Sequence, residues 1–189
     1  MKDIDIRNNK IKEIDIKGKL QLFKLKKIYL NSNHIEVINI TKLQKLNKLS
    51  ELYLSSNKIN DISFLENIEL KNLRKLDLDY NNIQNINSLG ELDTKFISTL
   101  ALNNNKISDI SALKKMTLKN LSYLYLNANQ ITNIKPLEKL NVPKIKVISI
   151  RGNNINYLFQ KNKDIIQNLS KKFPHGNYWL GGGFFFKIK

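Results

Sequence analysis

Residues 49–62, LSELYLSSNKINDI, hold the pattern that decides the fold of this 189-residue chain. Apolar and polar residues alternate at its centre, which predicts a short strand with Leu52 and Leu54 on one face and Tyr53 on the other. Asn57 follows three residues after Leu54 and ends the alternation. A single segment of this kind cannot bury its apolar face, so further copies of it are expected along the chain.

The pattern recurs seven times with a constant spacing of 24 residues. Its asparagine forms a ladder at Asn9, Asn33, Asn57, Asn81, Asn105, Asn129 and Asn153. Apolar residues precede each asparagine by eight, five and three positions, and isoleucine follows it by two. The register predicts one repeat region, residues 1–168, divided at 1–24, 25–48, 49–72, 73–96, 97–120, 121–144 and 145–168. Residues 169–189 form a separate C-terminal segment in this division.

The consensus LxxLxLxxNxIxxI resembles that of the leucine-rich repeat family. The segments INDISFL, ISDISAL and ITNIKPL are most similar to the internalin type, with SDS22-like repeats as a close relative. The resemblance implies an α/β repeat solenoid, a right-handed superhelix (horseshoe) with a parallel sheet on its concave face and short helical or 3₁₀ segments on its convex side. Internalin-type repeats are usually one pair of residues shorter, and the extra pair here falls in ENIELKN, on the convex side.

The two ends of the chain depart from the consensus. The part of each repeat that leads from the asparagine loop back to the next strand is called the return limb. Polar residues replace its core residues at Lys17 in repeat one and at Lys161 and Asp164 in repeat seven, as expected of terminal repeats. Residues 169–189, LSKKFPHGNYWLGGGFFFKIK, contain the single Trp and three consecutive Phe. This segment is interpreted either as a cap over the last repeat or as an adhesive or oligomerising tail.

The net charge of +16 comes almost entirely from lysine, since only three of the 32 basic residues are arginine. Arginine is the better ligand for phosphate and guanine, so the composition disfavours nucleic acid as a partner. The outward-facing concave positions hold five acidic and four basic residues. The lysine excess is therefore expected on the turns and the convex side, at Lys42, Lys45, Lys48, Lys114, Lys115 and Lys119.

Catalytic and metal-binding patterns are missing from the sequence. The chain has no cysteine, its two histidines lie far apart, and no nucleophile-base motif is visible. Asp77, Asp79 and Asn81 imitate the start of a calcium loop, but the loop glycine is missing and Ser88 stands where a bidentate Glu should be. The sequence therefore predicts a protein that is not an enzyme and needs neither a metal nor a cofactor.

The predicted function is binding of an unidentified protein through the concave face. The candidate binding residues on that face are Tyr29, Tyr53, Asp77, Tyr80, Asn103, Tyr123, Tyr125 and Arg151. Tyrosine is enriched at protein-binding hot spots, which favours this set. Two alternatives stay open: a polyanion (nucleic acid or an anionic membrane surface) bound by the lysine-rich convex side, or a regulatory subunit of an enzyme such as a phosphatase. The oligomeric state is not predicted.

Three consecutive asparagines, Asn103, Asn104 and Asn105, receive different predictions. Asn105 is expected to turn inward and bond the loop backbone, Asn103 to face the concave side, and Asn104 to have no specific role. No run approaches the length of apolar sequence that a membrane span needs, and the N-terminus has no signal-peptide core. A complete chain would be cytoplasmic, whereas removal of a signal peptide would allow a secreted or surface location.

Overall fold

The structure is a computed structural model that describes residues 1–19, 22–156, 158–172, 177–179 and 185–186. Its strands are β1 (Asp3–Asp5), β2 (Glu13–Ile16), β3 (Lys27–Tyr29), β4 (Val37–Ile40), β5 (Gln44–Lys45), β6 (Glu51–Tyr53), β7 (Ile68–Glu69), β8 (Lys75–Asp77), β9 (Thr99–Ala101), β10 (Tyr123–Tyr125), β11 (Val147–Ser149), β12 (Asn177–Trp179) and β13 (Phe185–Phe186). The helices are α1 (Lys135–Glu138) and α2 (Gln160–Lys172), and 3₁₀ segments cover Ser63–Asn67, Asn87–Glu91 and Ser111–Lys114.

One sheet runs through all seven repeats in the order β1-β3-β6-β8-β9-β10-β11-β12-β13. Its strands are parallel except for the antiparallel pair β12–β13. From β1 to β11 the register advances by one full repeat at each strand, so Leu52 pairs with Leu76, Leu100 with Leu124, and Leu124 with Ile148. The predicted parallel sheet and repeat solenoid are confirmed.

The core lies behind this sheet. The middle residue of each strand from β6 to β11 in this sheet is buried, with Leu76, Leu100 and Leu124 at 0 % exposure. Tyr53 follows Leu52 in its strand and Tyr125 follows Leu124. Both tyrosines lie on the opposite face of the sheet and are only half-buried. The alternation predicted from period-two patterning is therefore present.

The return limb has two forms. Repeats three to five use the 3₁₀ segments and repeat six uses α1, in agreement with the short helical or 3₁₀ segments that the resemblance implies. Repeats one and two instead form strands β2 and β4, which pair in parallel as a separate two-stranded sheet. Their sequences EIDI and VINI alternate isoleucine with polar residues, and β-branched residues at period two favour a strand over a helical turn. The expectation of helical turns is wrong for these two repeats.

The seventh repeat ends in a longer helix. Helix α2 buries Ile165 and Leu169, and Lys172 Nζ donates to the Leu140 carbonyl at 2.8 Å. The helix runs through residue 168, where the repeat region was divided from the C-terminal segment. Strand β12 then joins the sheet beside β11 and pairs Ile148 with Tyr178, which is a longer step along the chain than one repeat. The sheet therefore continues into residues 169–189; the rest of that segment, with its proposed cap or tail role, lies mainly outside the described residues.

No described helix is long and apolar enough to cross a membrane.

Candidate functional site on the concave sheet face

The ladder asparagines fix the loops that end each strand. Asn105 donates from Nδ2 to the carbonyls of Leu78 at 2.9 Å, Leu102 at 3.2 Å and Asn103 at 3.1 Å. Its Oδ1 accepts the backbone N–H of Ile83 at 3.0 Å. The inward-facing role predicted for Asn105 is confirmed, and two of its bonds reach the preceding repeat. The ladder therefore holds adjacent repeats together as well as closing its own loop.

The residue just before each ladder asparagine has a left-handed backbone. These residues are Asn8, Ser32, Ser56, Tyr80, Asn104, Ala128 and Gly152, with φ between 50° and 66°. Asn104 thus has a conformational role, since asparagine tolerates this region better than most residues, and the prediction that it has none is wrong. Tyr80, a predicted candidate of the concave face, lies in this turn after strand β8 and is 59 % exposed.

Two tyrosines stack across neighbouring strands on the concave face. The rings of Tyr29 and Tyr53 lie 4.9 Å apart at an angle of 15°. The Arg7 guanidinium lies 5.0 Å from the centre of the Tyr29 ring, and Lys75 Nζ lies 4.6 Å from that of Tyr53. Four successive repeats thus contribute a row of cation, ring, ring and cation, called here the tyrosine row. Cation–π contacts of this kind hold aromatic rings in place.

Glu51 lies in the same strand as Tyr53 and bonds to the tyrosine row. The Tyr53 hydroxyl donates to Glu51 Oε2 at 2.7 Å, and Lys27 Nζ contacts Oε1 at 2.9 Å. Burial acts to raise the pKa of Glu51, but the bonds from Tyr53 and Lys27 outweigh it and hold that pKa below its usual value. Burial, together with the bond to Glu51, raises the pKa of Tyr53, so its hydroxyl remains a donor at neutral pH.

A second tyrosine pair lies further along the sheet. Tyr123 and Tyr125 share strand β10, with ring centres 6.1 Å apart, next to the small, buried Ala101 of β9. Burial raises the pKa of Tyr125, and the nearby Tyr123 and Asp79 add to the effect. Strands β8 and β9 lie between the strand of Tyr53 and that of Tyr125, so these two residues are about 14 Å apart at the usual strand spacing. The predicted tyrosines therefore form two sites on one face.

A second polar ladder, which sequence reasoning missed, borders the concave face. Asp79 accepts from the Asn103 backbone N–H at 2.6 Å and from its Nδ2 at 3.0 Å. Asn103 Oδ1 in turn accepts from the backbone N–H of Asn127 at 2.8 Å. Burial raises the pKa of Asp79, the Asn103 bonds oppose this, and the charge of Asp77 adds to it. The polar groups of the Asn103 side chain are therefore used in hydrogen bonds between the ends of neighbouring strands. A polar residue recurs two positions before each ladder asparagine, and this recurrence was the sequence signal from which the second ladder could have been predicted.

The remaining candidates flank the two tyrosine sites. Asp77 ends strand β8, and its Oδ1 accepts the backbone N–H of Asp79 at 3.2 Å. Arg151 follows β11, is exposed, and donates its backbone N–H to Asn127 Oδ1 at 2.8 Å. In the described part of the chain, no group of three or more His, Asp or Glu side chains is placed to hold a metal ion. The concave face therefore offers aromatic and polar contacts for binding.

The chain belongs to the leucine-rich repeat family. The family model for a leucine rich repeat matches residues 1–59 and 23–83, and a model of two such repeats matches residues 96–139, together more than half of the chain. Proteins with this repeat and fold generally bind other proteins and are typically not catalysts. A comparison with curated proteins finds no match.

Among solved structures, those similar to the chain include internalins of Listeria monocytogenes. Internalin F is 24 % identical with a TM-score of 0.61, over 85 % of this chain and 48 % of internalin F. Internalin C2 is 22 % identical with a TM-score of 0.62, over 95 % of this chain and 79 % of internalin C2. A leucine-rich repeat protein of Leptospira interrogans is 23 % identical with a TM-score of 0.53, over 94 % and 54 %. The chain spans about half the length of internalin F, and these likenesses show the fold.

Proposed function

We propose that the chain binds a protein partner through its concave sheet face, with Tyr53 and Tyr125 as the central contacts. The tyrosine row carries this proposal, because its rings are already held in place by Arg7, Lys75 and Glu51. A ring that is fixed before binding loses little conformational entropy when a partner covers it. Such rings are the side chains expected to dominate an interface.

The near-neutral charge of the face supports a folded protein partner. Four of its nine charged side chains form two ion pairs: Arg7 with Asp5 at 2.9 Å and Lys27 with Glu51 at 2.9 Å. A partner therefore meets rings and paired charges, and no large field of one sign has to be neutralised. This is the pattern of a protein interface, where charged residues are depleted at the centre.

The test is a comparison of captured proteins between two double variants. Tyr53→Ala with Tyr125→Ala removes one ring from each concave site. Tyr80→Asn with Phe159→Ala removes two exposed rings elsewhere, since Tyr80 lies in a turn and Phe159, which is 56 % exposed, lies next to α2. Immobilised wild type and the control variant should enrich the same protein from a cell extract, identified by mass spectrometry, and the concave variant should lose it.

The purified partner then gives the affinity by isothermal titration calorimetry. Loss of two hot-spot rings should weaken binding by roughly 100-fold or more, with an unchanged circular dichroism spectrum. Equal affinity of the wild type and the folded concave variant would show that this face is not the binding surface.

A further inference from the structure

The turns through which the chain enters the strands line up along the N-terminal ends of the strands. This rim of the concave sheet is called its edge here. A β-turn precedes each of β3, β6, β8, β9, β10 and β11, and each is closed by a backbone hydrogen bond. Leu25 N donates to the Leu22 carbonyl at 3.0 Å in the first turn, and Ile145 N to the Val142 carbonyl at 3.0 Å in the last. The two middle residues of each turn, and the residue immediately before each strand, therefore recur at the same place in successive repeats.

These three positions carry a continuous basic band. Its ten members, all exposed, are Lys2, Lys24, Lys26, Lys48, Lys71, Arg74, Lys95, Lys119, Lys144 and Lys146. No acidic residue occupies any of the three positions in any repeat. On the opposite edge, positions one, three and four after the ladder asparagines hold four lysines and four acids. Ten positive charges, compared with a net charge of +16, therefore lie along this row of turns. Two of them, Lys48 and Lys119, belong to the lysine excess that was expected on the turns and the convex side.

Most cations of the basic band form no salt bridge with another described residue. Among the described residues, Lys71 is the member that forms a salt bridge, to Glu69 at 3.6 Å. Lys144 donates to Asn120 Oδ1 at 2.6 Å, a neutral acceptor. Successive repeats are about 4.8 Å apart in the sheet, so six turns extend over roughly 25 Å. The band thus presents a row of hydrated ammonium groups long enough to contact many anions at once.

Two phenylalanines are interspersed with these lysines. Phe23 is 59 % exposed and precedes Lys24 in the first turn. Phe96 lies in the fourth turn with Arg74 at 5.8 Å and Lys95 at 5.4 Å from its ring centre. Lysines beside aromatic rings suit an anionic bilayer, because the ammonium groups meet headgroup charge and an exposed ring enters the interface. The band contains one arginine, whereas bidentate phosphate recognition in nucleic acids favours arginine.

We propose that the basic band docks the protein onto an anionic phospholipid bilayer, with Phe23 entering the headgroup region. The band lies on the edge of the sheet, so the concave face stays open to a protein partner while the band is bound. This inference does not depend on the proposed function, since it concerns different residues and a different ligand.

The test uses vesicles of phosphatidylcholine with about one third phosphatidylglycerol, and pure phosphatidylcholine vesicles as reference. The band variant changes Lys24, Lys26, Lys48, Lys95 and Lys119 to Gln. The matched control makes the same change at five exposed convex lysines: Lys42, Lys45, Lys114, Lys135 and Lys139. Both variants therefore have the same net charge, and only the location of the lost charge differs.

Co-sedimentation at physiological salt should show wild type bound to the anionic vesicles and not to the neutral ones. Each lysine near an anionic surface raises partitioning roughly fivefold, so the band variant should bind at least about 100-fold more weakly. The convex control should stay within about fivefold of wild type. Equal losses in the two variants, or no binding of wild type to anionic vesicles, would overturn the proposal.

Phe23→Ser separates a bilayer from a soluble polyanion. The substitution should weaken vesicle binding about tenfold and leave binding of a single-stranded RNA oligonucleotide unchanged. If RNA binds more tightly than vesicles at the same salt concentration, depends on the band, and Phe23→Ser has no effect on vesicle binding, then the band is a nucleic-acid surface and the bilayer assignment is wrong.

Discussion

The first and fifth repeats share one motif but differ in what it contributes. Asn105 is buried and bonds both its own loop and the preceding repeat, through the Leu78 carbonyl and the Ile83 N–H. Asn9 is exposed, and the bonds of its Nδ2 go to the nearby carbonyls of Ile6 and Arg7 in its own repeat, at 3.0 Å each. The same motif therefore contributes inter-repeat bonds only where a neighbouring repeat supplies the partner groups.

Core packing also differs between the first and the fifth repeat. The core of the fifth repeat is fully buried, with Leu100, Leu102 and Ile107 at 0 % exposure. An apolar cavity of about 190 Å³ lies within repeats one to three and is lined by Ile4, Ile14, Leu52 and other side chains. The inner repeats are therefore expected to respond strongly to substitution and the first repeat weakly.

The largest difference is expected for core truncation. Leu124→Ala, at a position with 0 % exposure, should lower the free energy of unfolding by about 3–4 kcal/mol, since it removes buried methyl groups and leaves a cavity. Ile4→Ala, at the half-buried equivalent position of the first repeat, should cost about 1–2 kcal/mol. Urea denaturation measures both values, and equal costs would contradict the idea that burial by neighbours sets the contribution.

The ladder asparagine gives the next largest effect. Asn105→Ala leaves the Ile83 N–H and the Leu78 carbonyl without their side-chain partner inside the protein, and should cost about 2–3 kcal/mol. Asn9→Ala breaks only exposed bonds and should cost less than about 0.5 kcal/mol. Thermal and urea unfolding of the pair provide the measurement. A cost for Asn105→Ala as small as that for Asn9→Ala would refute the inter-repeat role of the ladder.

Substitutions at the left-handed position just before the ladder asparagine should change the free energy of unfolding by a smaller amount, in either direction. Gly152 has φ of +66°, a backbone conformation that residues with a Cβ rarely adopt, so Gly152→Ala should cost about 1–2 kcal/mol. Ala128→Gly relieves the same strain in repeat six and should stabilise by about 1 kcal/mol. Asn8→Gly in the first repeat serves as the control and should change stability by less than about 0.5 kcal/mol. Destabilisation by Ala128→Gly would show that the turn is not strained.

The smallest effect is expected from the charges under the tyrosine row. The pKa of Glu51 is lower in the folded protein than in the unfolded chain. Its contribution is therefore present above the ordinary carboxyl pKa of about 4.3 and is lost as the pH falls through the lower folded value. Because Glu51 is partly exposed, Glu51→Gln should cost less than about 1 kcal/mol at pH 7, and the difference from wild type should vanish at low pH.

Asp5→Asn is the matched change in the first repeat. Asp5 pairs with Arg7 of its own repeat at 2.9 Å, both side chains being nearly half exposed, so the substitution should leave stability almost unchanged at pH 7. Unfolding midpoints measured between about pH 2 and pH 7 compare the two substitutions. A difference between wild type and Glu51→Gln that persists at the lowest pH would contradict the assigned electrostatic role.

The sequence was sufficient for those features that recur in every repeat and depend on local pattern. The inward leucines such as Leu52 and Leu124, the outward tyrosines and the bonds of Asn105 all followed from alternation and register. The fold could be predicted because each repeat restates the same burial requirement, and a mismatch in one copy stands out against the others.

Other features depend on contacts that no local pattern encodes. The stack of Tyr29 on Tyr53 and the Asp79–Asn103 bonds arise between residues of adjacent repeats, and only the strand register brings them together. The longer step from β11 to β12 depends on helix α2 replacing the last return limb. Turn conformation was missed at Asn104 because serine, tyrosine, alanine and glycine also occupy that position, so composition gave no consistent signal.

The most direct test of the central claim is site-specific photo-crosslinking to the captured partner. A benzoylphenylalanine residue replaces Tyr53 on the concave face in one protein and Tyr80 in the turn in another, and crosslinked products are detected by mass spectrometry. The concave-face account predicts efficient crosslinking from Tyr53 and none above background from Tyr80. Crosslinking from Tyr80 with none from Tyr53 would contradict the assignment of the concave sheet as the binding surface.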